Sequence, residues 1–127
     1  MKAIIVTNNP RVKEKYSQIY QVVFEEGSVL DVLRQVRDYI HRGHELLTHP
    51  LSGSVKPNES PYKSVLVSTM AETVELNSVR IIEGSMETAQ KLINMKTIPR
   101  WSEKVLQDFQ VIDCSLIDSG IESMTQF

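Results

Sequence analysis

Cysteine is almost missing from this chain: Cys114 is the single one among 127 residues. It cannot close an internal disulfide or complete a Cys-x-x-Cys pair. A secreted disulfide scaffold, a cysteine-rich zinc or iron–sulfur site and a redox-active cysteine pair are all excluded. An excess of one charge is missing too. Fourteen basic side chains stand against sixteen acidic ones (14 and 16), without the basic stripe of a nucleic-acid binder. No apolar run approaches the roughly 18 residues of a membrane span. The opening Met1-Lys2-Ala3-Ile4-Ile5-Val6-Thr7 has one charge and too short an apolar run for a signal peptide. No internal repeat or low-complexity tract is present. The expectation is a cytoplasmic protein with neither nucleic acid nor membrane as partner.

What remains is a patterned chain whose length suits one domain, residues 1–127, with a real core. Ala3 to Val6 is a continuous apolar run and predicts a strand covered on both faces. In Thr7-Asn8-Asn9-Pro10, Asn as N-cap and Pro as first helical residue predict a short helix to about Gln18. Tyr20 to Phe24 reads as a second strand. Ser28 with Asp31 three residues on is a capping-box pattern. It opens a helix through Val29, Leu30, Leu33, Val36 and Ile40 that Gly43 stops. His44–Thr48 and Ser64–Ser68 read as third and fourth strands. Val79, Ile82, Met86, Ala89 and Ile93 step by three and four, as an amphipathic helix does, until Pro99. Val105, Phe109, Ile112 and Leu116 predict a last helix, although Gln110–Leu116 also reads as a strand. The fold class expected is α/β: a single three-layer domain, a mostly parallel sheet of about four strands, helices on both faces. The long connection between strands three and four leaves an antiparallel pairing open.

That connection, Thr48 to Ser64, is the most distinctive stretch. Loops beyond about 12–15 residues are uncommon in compact domains unless functional or disordered. Pro50, Pro57 and Pro61 stiffen this one, and Leu51, Val55 and Tyr62 supply anchors. Ligands of open α/β sheets bind beyond the carboxyl ends of the strands. If the strand order is 2-1-3, the ends of the first and third strands converge. That brings Thr7, Asn8 and Asn9 together with Thr48 and His49, beside a helix N-terminus that favours an anion. Arg11, Lys56 or Lys63 supplies positive charge. The candidate ligand-binding set is Thr7, Asn8, Asn9, Thr48, His49, Ser52, Ser54, Lys56, Asn58, Glu59, Tyr62 and Lys63, and His49 is the candidate catalytic acid or base.

Plainer readings stand beside these. Asn9 serves equally as a cap alone, and His49 as a turn residue. Ser52-Gly53-Ser54 can cradle a phosphate but matches no phosphate-loop pattern. Glu59 either answers His49 or faces water. His41 and His44 are separated by a helix stop and do not make a metal site; no metal or cofactor is expected. Cys114 lies in an apolar pattern and reads as core. Arg100-Trp101 reads as a packing anchor, or as an interface hot spot.

Several stretches together carry a likeness: Ile4-Ile5-Val6-Thr7-Asn8-Asn9-Pro10, Val36-Arg37-Asp38-Tyr39-Ile40-His41, the string Leu47 to Glu59, Pro61-Tyr62-Lys63-Ser64, and Pro99-Arg100-Trp101. In these the chain resembles GrdX, a family encoded beside the glycine, sarcosine and betaine reductase components of anaerobic bacteria. The resemblance implies an accessory protein of that system. It carries over no catalytic residue. A reductase component is then a candidate partner. A small anionic ligand is compatible, since those reductases yield acetyl phosphate. Two other readings stay open. One is a small enzyme using His49 on a carboxylate or phosphate, with Asn8, Ser52, Ser54 or Lys56 holding the substrate. The other is a homodimeric interaction protein anchored by Tyr62 and Trp101.

Overall fold

The computed structural model describes residues 3–51 and 55–125. In chain order its elements are β1 (Ala3–Thr7), α1 (Pro10–Tyr16), β2 (Gln21–Phe24), α2 (Val29–His41), β3 (Ser64–Ser68), α3 (Leu76–Met95) and α4 (Glu103–Thr125). The class is α/β, as the alternation of apolar runs predicts. Among the described residues the sheet has three strands in the order β2-β1-β3. β1 and β2 are parallel, because residues 8–20 carry the chain back through α1. β1 and β3 are antiparallel, with Thr7 opposite Ser64 and Ala3 opposite Ser68. The sheet is thus mixed rather than mostly parallel.

The expected third strand, His44–Thr48, is where the strand count falls short. It makes one isolated bridge, Leu46 to Val67. Side chains take over the rest of its ladder. The Glu45 N–H donates to Ser68 Oγ (2.8 Å), and Thr48 Oγ1 accepts the Leu66 N–H (3.0 Å). Only Leu47 N–H to the Leu66 carbonyl (2.9 Å) and Ser68 N–H to the Glu45 carbonyl (2.8 Å) remain as backbone rungs. The segment still lies along the outer edge of β3 and runs in the direction of β1. Thr48 and Thr7 therefore reach the same end of the sheet, with β3 between them.

Side chains alternate across the strands and build two cores. Ile4, Val6, Val65 and Val67 pack with α2 and α3 through Val29, Val32, Leu33, Val36, Ile40, Ile82 and Ala89. Ala3, Ile5 and Leu66 pack with α1 and α4 through Val12, Tyr16, Cys114 and Ile117. Every residue of β1 is buried, which explains its unbroken apolar run. α4 does not turn the expected stripe inward. Ile112 and Leu116 are exposed, and Asp113, Cys114 and Ile117 are buried instead. Gln110–Leu116 is helical throughout. Polar contacts decide this orientation. Asn9 donates to the Gln110 carbonyl (2.9 Å) and to Asp113 (3.0 Å), while Asp118 receives Lys15 (2.9 Å) and Tyr16.

The helix signals hold. Asn9 caps α1 with Pro10 at the first turn, and Ser28 and Asp31 form a reciprocal capping box on α2. Gly43 follows α2 at φ 105°, and a side chain there would meet the Glu72 carbonyl oxygen at 1.9 Å.

Asn8 ties the long loop to the sheet. Its Oδ1 accepts the Lys63 N–H (2.8 Å), and its Nδ2 donates to the Pro61 (2.8 Å) and Gly27 (3.1 Å) carbonyls. Asn8→Ala strands these buried backbone groups. It should cost about 2 kcal/mol of unfolding free energy in urea with an unchanged slope. A loss below about 0.5 kcal/mol, within the range of an ordinary surface substitution, would mean that water replaces the clamp.

Candidate functional site

At the carboxyl end of β1 lies a cavity of about 240 Å³. Thr48, His49 and Pro50 form one wall, and Lys63 and Ser64, entering β3, form the floor. α4 closes the other side with Asp113, Leu116, Ile117, Ser119, Gly120 and Ser123. A second, water-sized crevice of about 10 Å³ lies beside it. That crevice shares Lys63, Asp113 and Leu116 and adds Val55, Lys56, Pro57, Ser60, Tyr62 and Ile112.

Two buried ionisable groups dominate the cavity. Asp113 is 5 % exposed and Lys63 is 7 % exposed. Asp113 Oδ2 accepts from Ser64 Oγ (2.7 Å) and from Asn9 Nδ2 (3.0 Å). Thr7 stands behind them. Its hydroxyl bonds Ser64 Oγ (2.6 Å) and accepts the Asn9 N–H (2.9 Å). Burial lifts the Asp113 carboxyl above its usual range; the donors from Asn9 and Ser64 and the field of Lys63 oppose that lift without cancelling it. Burial likewise holds the Lys63 amine below its ordinary value, against the pull of Asp113.

The Lys63 amine has no partner among the described residues. Its backbone N–H serves Asn8, but no hydrogen bond or ion pair to Nζ occurs among the described residues. Nor is Nζ sealed. Among the described residues the only occluded side-chain polar atom without a partner is Asn58 Oδ1. The Lys63 side chain lines both the main cavity and the crevice.

Of the residues singled out in the sequence, Thr48, His49 and Lys63 line the main cavity, and Lys56 and Tyr62 line the crevice. Thr7 and Asn9 lie behind, holding Ser64 and Asp113. Asn8 is a clamp on the loop, and Asn58 is buried with Nδ2 on the Leu92 carbonyl (3.1 Å). Glu59 lies outside both cavities, exposed, and its carbonyl takes the Trp101 indole N–H (2.7 Å). Ser52 and Ser54 fall outside the described residues. His49 is exposed at the rim, where Nδ1 accepts the Leu51 N–H (3.1 Å), leaving Nε2 to carry the proton of the neutral ring. His41 pairs with Glu83 and His44 with the Ser68 carbonyl, apart from the cavity. Burial pushes the Cys114 thiol up, which suits a core residue. Tyr62 and Trp101 spend their polar groups within the chain, the tyrosine hydroxyl accepting from Gln110 (2.8 Å).

Reasoning from sequence missed Asp113 and Ser64. The signal for Asp113 was an acid on the helix stripe shared by Gln110, Cys114 and Ile117, where a core residue belongs.

A small mixed-sheet α/β domain with a two-charge cleft at one strand end is the class these observations define. The family model described as GrdX-like protein matches residues 4–122, and the chain belongs to that family. No curated protein and no solved structure matches it.

The depressed Lys63 amine has a consequence for stability. A lowered folded value means that the amine's contribution is complete above its unfolded value of 10.5. It is lost as pH falls through the folded value, so at neutral pH the charged amine opposes folding. Lys63→Met should therefore raise the melting temperature at pH 7 by the equivalent of about 1 kcal/mol. The advantage should shrink toward pH 10.5. A variant that melts lower at pH 7, or an advantage independent of pH, would show that the amine is already compensated.

Proposed function

We propose that the protein is a non-catalytic accessory protein of an amino-acid reductase system that holds a small carboxylate or phosphate in the Lys63 cleft. The observation that carries the reading is a buried lysine, its amine unpaired among the described residues, whose side chain lines a cavity of about 240 Å³. Buried cations are paired in stable interiors, so an anion from outside is the missing partner. The volume suits a ligand well below drug size. Membership of the GrdX-like family supports the reductase setting, and with it a cytoplasmic location and a reductase component as the protein partner. Tyr62 and Trp101 pin the 55–63 stretch of the loop against α4 and its approach, which keeps the amine in place.

One feature favours an enzyme as second reading: His49 stands on the rim of the same cavity with Nε2 unpaired among the described residues. An acid or base there could serve the same anion.

The test is a thermal-shift titration of wild type and Lys63→Met with acetate, phosphate and acetyl phosphate. At a hundredfold excess over Kd a native-state ligand adds about 2.7 kcal/mol. Wild type should shift with at least one anion, and Lys63→Met should not. Equal shifts in both proteins, or none in either, would discard the anion site and leave the loop as a surface for a reductase component. Hydrolysis of acetyl phosphate that His49→Ala abolishes would establish the enzyme instead.

A further inference from the structure

Lys63 and Asp113 are oppositely charged, are each more than nine-tenths buried, and line the same cavity. They do not form an ion pair: their charged atoms stay beyond 4.0 Å of one another. A buried pair held apart loses hydration at both ends and gains little from contact. Each group is also half-used in a complementary way. Asp113 Oδ2 takes the donors from Asn9 and Ser64, and among the described residues no side-chain donor reaches Oδ1. Among the described residues Lys63 Nζ has no acceptor.

Simple ions fit this arrangement poorly. An anion on Lys63 meets the field of Asp113, and an amine on Asp113 meets that of Lys63. A molecule with a charge of each sign answers both at once. We propose that the cleft selects a small zwitterion, its carboxylate on Lys63 Nζ and its ammonium on Asp113 Oδ1. The proposal rests on the anion-site reading and narrows it to the amino-acid class. The walls agree with a short ligand. Leu116, Ile117 and Pro50 offer apolar surface, while Thr48 and Ser119 add neutral hydroxyls that disfavour neither charge. The Ser64 and Asn9 side chains both meet Asp113 through Oδ2, so Asp113→Asn keeps an acceptor for them while losing the charge.

Calorimetric titration of the full chain with probes of matched size tests this: glycine and β-alanine, acetate and propionate, methylamine and ethylamine, all at one ionic strength. A zwitterion should bind wild type at least tenfold more tightly than the anion and the amine of its size. That ranking needs no variant, so it holds whether or not any variant folds. Lys63→Met and Asp113→Asn should each weaken the zwitterion at least tenfold, and Asp113→Asn should strengthen acetate. Acetate binding as tightly as glycine, with Asp113→Asn neutral toward both, would overturn the zwitterion while leaving the anion site intact. Acetate and propionate failing together with both zwitterions would overturn the anion site as well.

Discussion

A carboxylate inside a protein must be met by donors, and Asp113 makes three distant parts of this chain converge. Its Oδ2 draws Asn9 from the end of β1 and Ser64 from the start of β3 to the middle of α4. Charge-assisted bonds of this kind contribute about 1.5–3 kcal/mol each. Their loss would leave the acid buried and unanswered. The donors are available together only because β3 runs antiparallel to β1, which sets Ser64 opposite Thr7. Thr7 then fixes both, bonding Ser64 Oγ and accepting the Asn9 N–H. α4 is thereby held in a rotation that buries an acid and leaves Ile112 and Leu116 in solvent.

The same geometry explains how the 55–63 stretch is held without a strand or helix of its own. Asn8 gathers Lys63, Pro61 and Gly27, Asn58 reaches the Leu92 carbonyl of α3, and Trp101 caps Glu59 from the approach to α4. These bonds go mostly to backbone groups that no ladder or helix satisfies, so they stand in for secondary structure. Side chains on such a loop are positioned almost as firmly as on a strand. That is the condition for presenting one amine to one cavity.

Much of this architecture is legible in the sequence. Asn9-Pro10, Ser28 with Asp31, and Gly43 mark helix ends through local chemistry that operates in any context, and the structure keeps all three. The unbroken run Ala3–Val6 demands cover on both faces and receives it. The convergence of Thr48 and His49 with the end of β1 follows as well, by a different route from the one expected. The 44–48 segment lies beyond β3 rather than next to β1, but two antiparallel steps restore its direction. What sequence conceals is non-local. The stripe of α4 places Asp113 on the core side, but the donors that answer it are invisible locally, because they lie at sequence separations of 104 and 49. The misassigned stripe through Ile112 and Leu116 fails for the same reason. The buried face is the neighbouring apolar stripe of Cys114, Ile117, Ile121 and Met124, on which Asp113 is tied in by buried hydrogen bonds.

The two charges in the cleft differ in what the fold asks of them. Asp113 has a structural role, since its carboxylate holds Asn9 and Ser64 and so joins α4 to the sheet. Neutral acceptors such as Asn could perform part of it. Lys63 has none of that kind. The loop clamp uses only its backbone N–H and carbonyl, which any residue supplies: the N–H donates to Asn8 Oδ1, and the carbonyl accepts the Asn8 N–H (3.3 Å). Its aliphatic stem fills space that Met or Leu would fill without a charge. At neutral pH its ammonium works against folding. Sites where local rules of stability are broken without compensation inside the protein are where function concentrates. By that criterion Lys63 marks the site more strongly than His49, whose imidazole is exposed and already engaged with its own loop. On the anion-site proposal, the amine is explained by what enters the cavity rather than by the described residues that surround it.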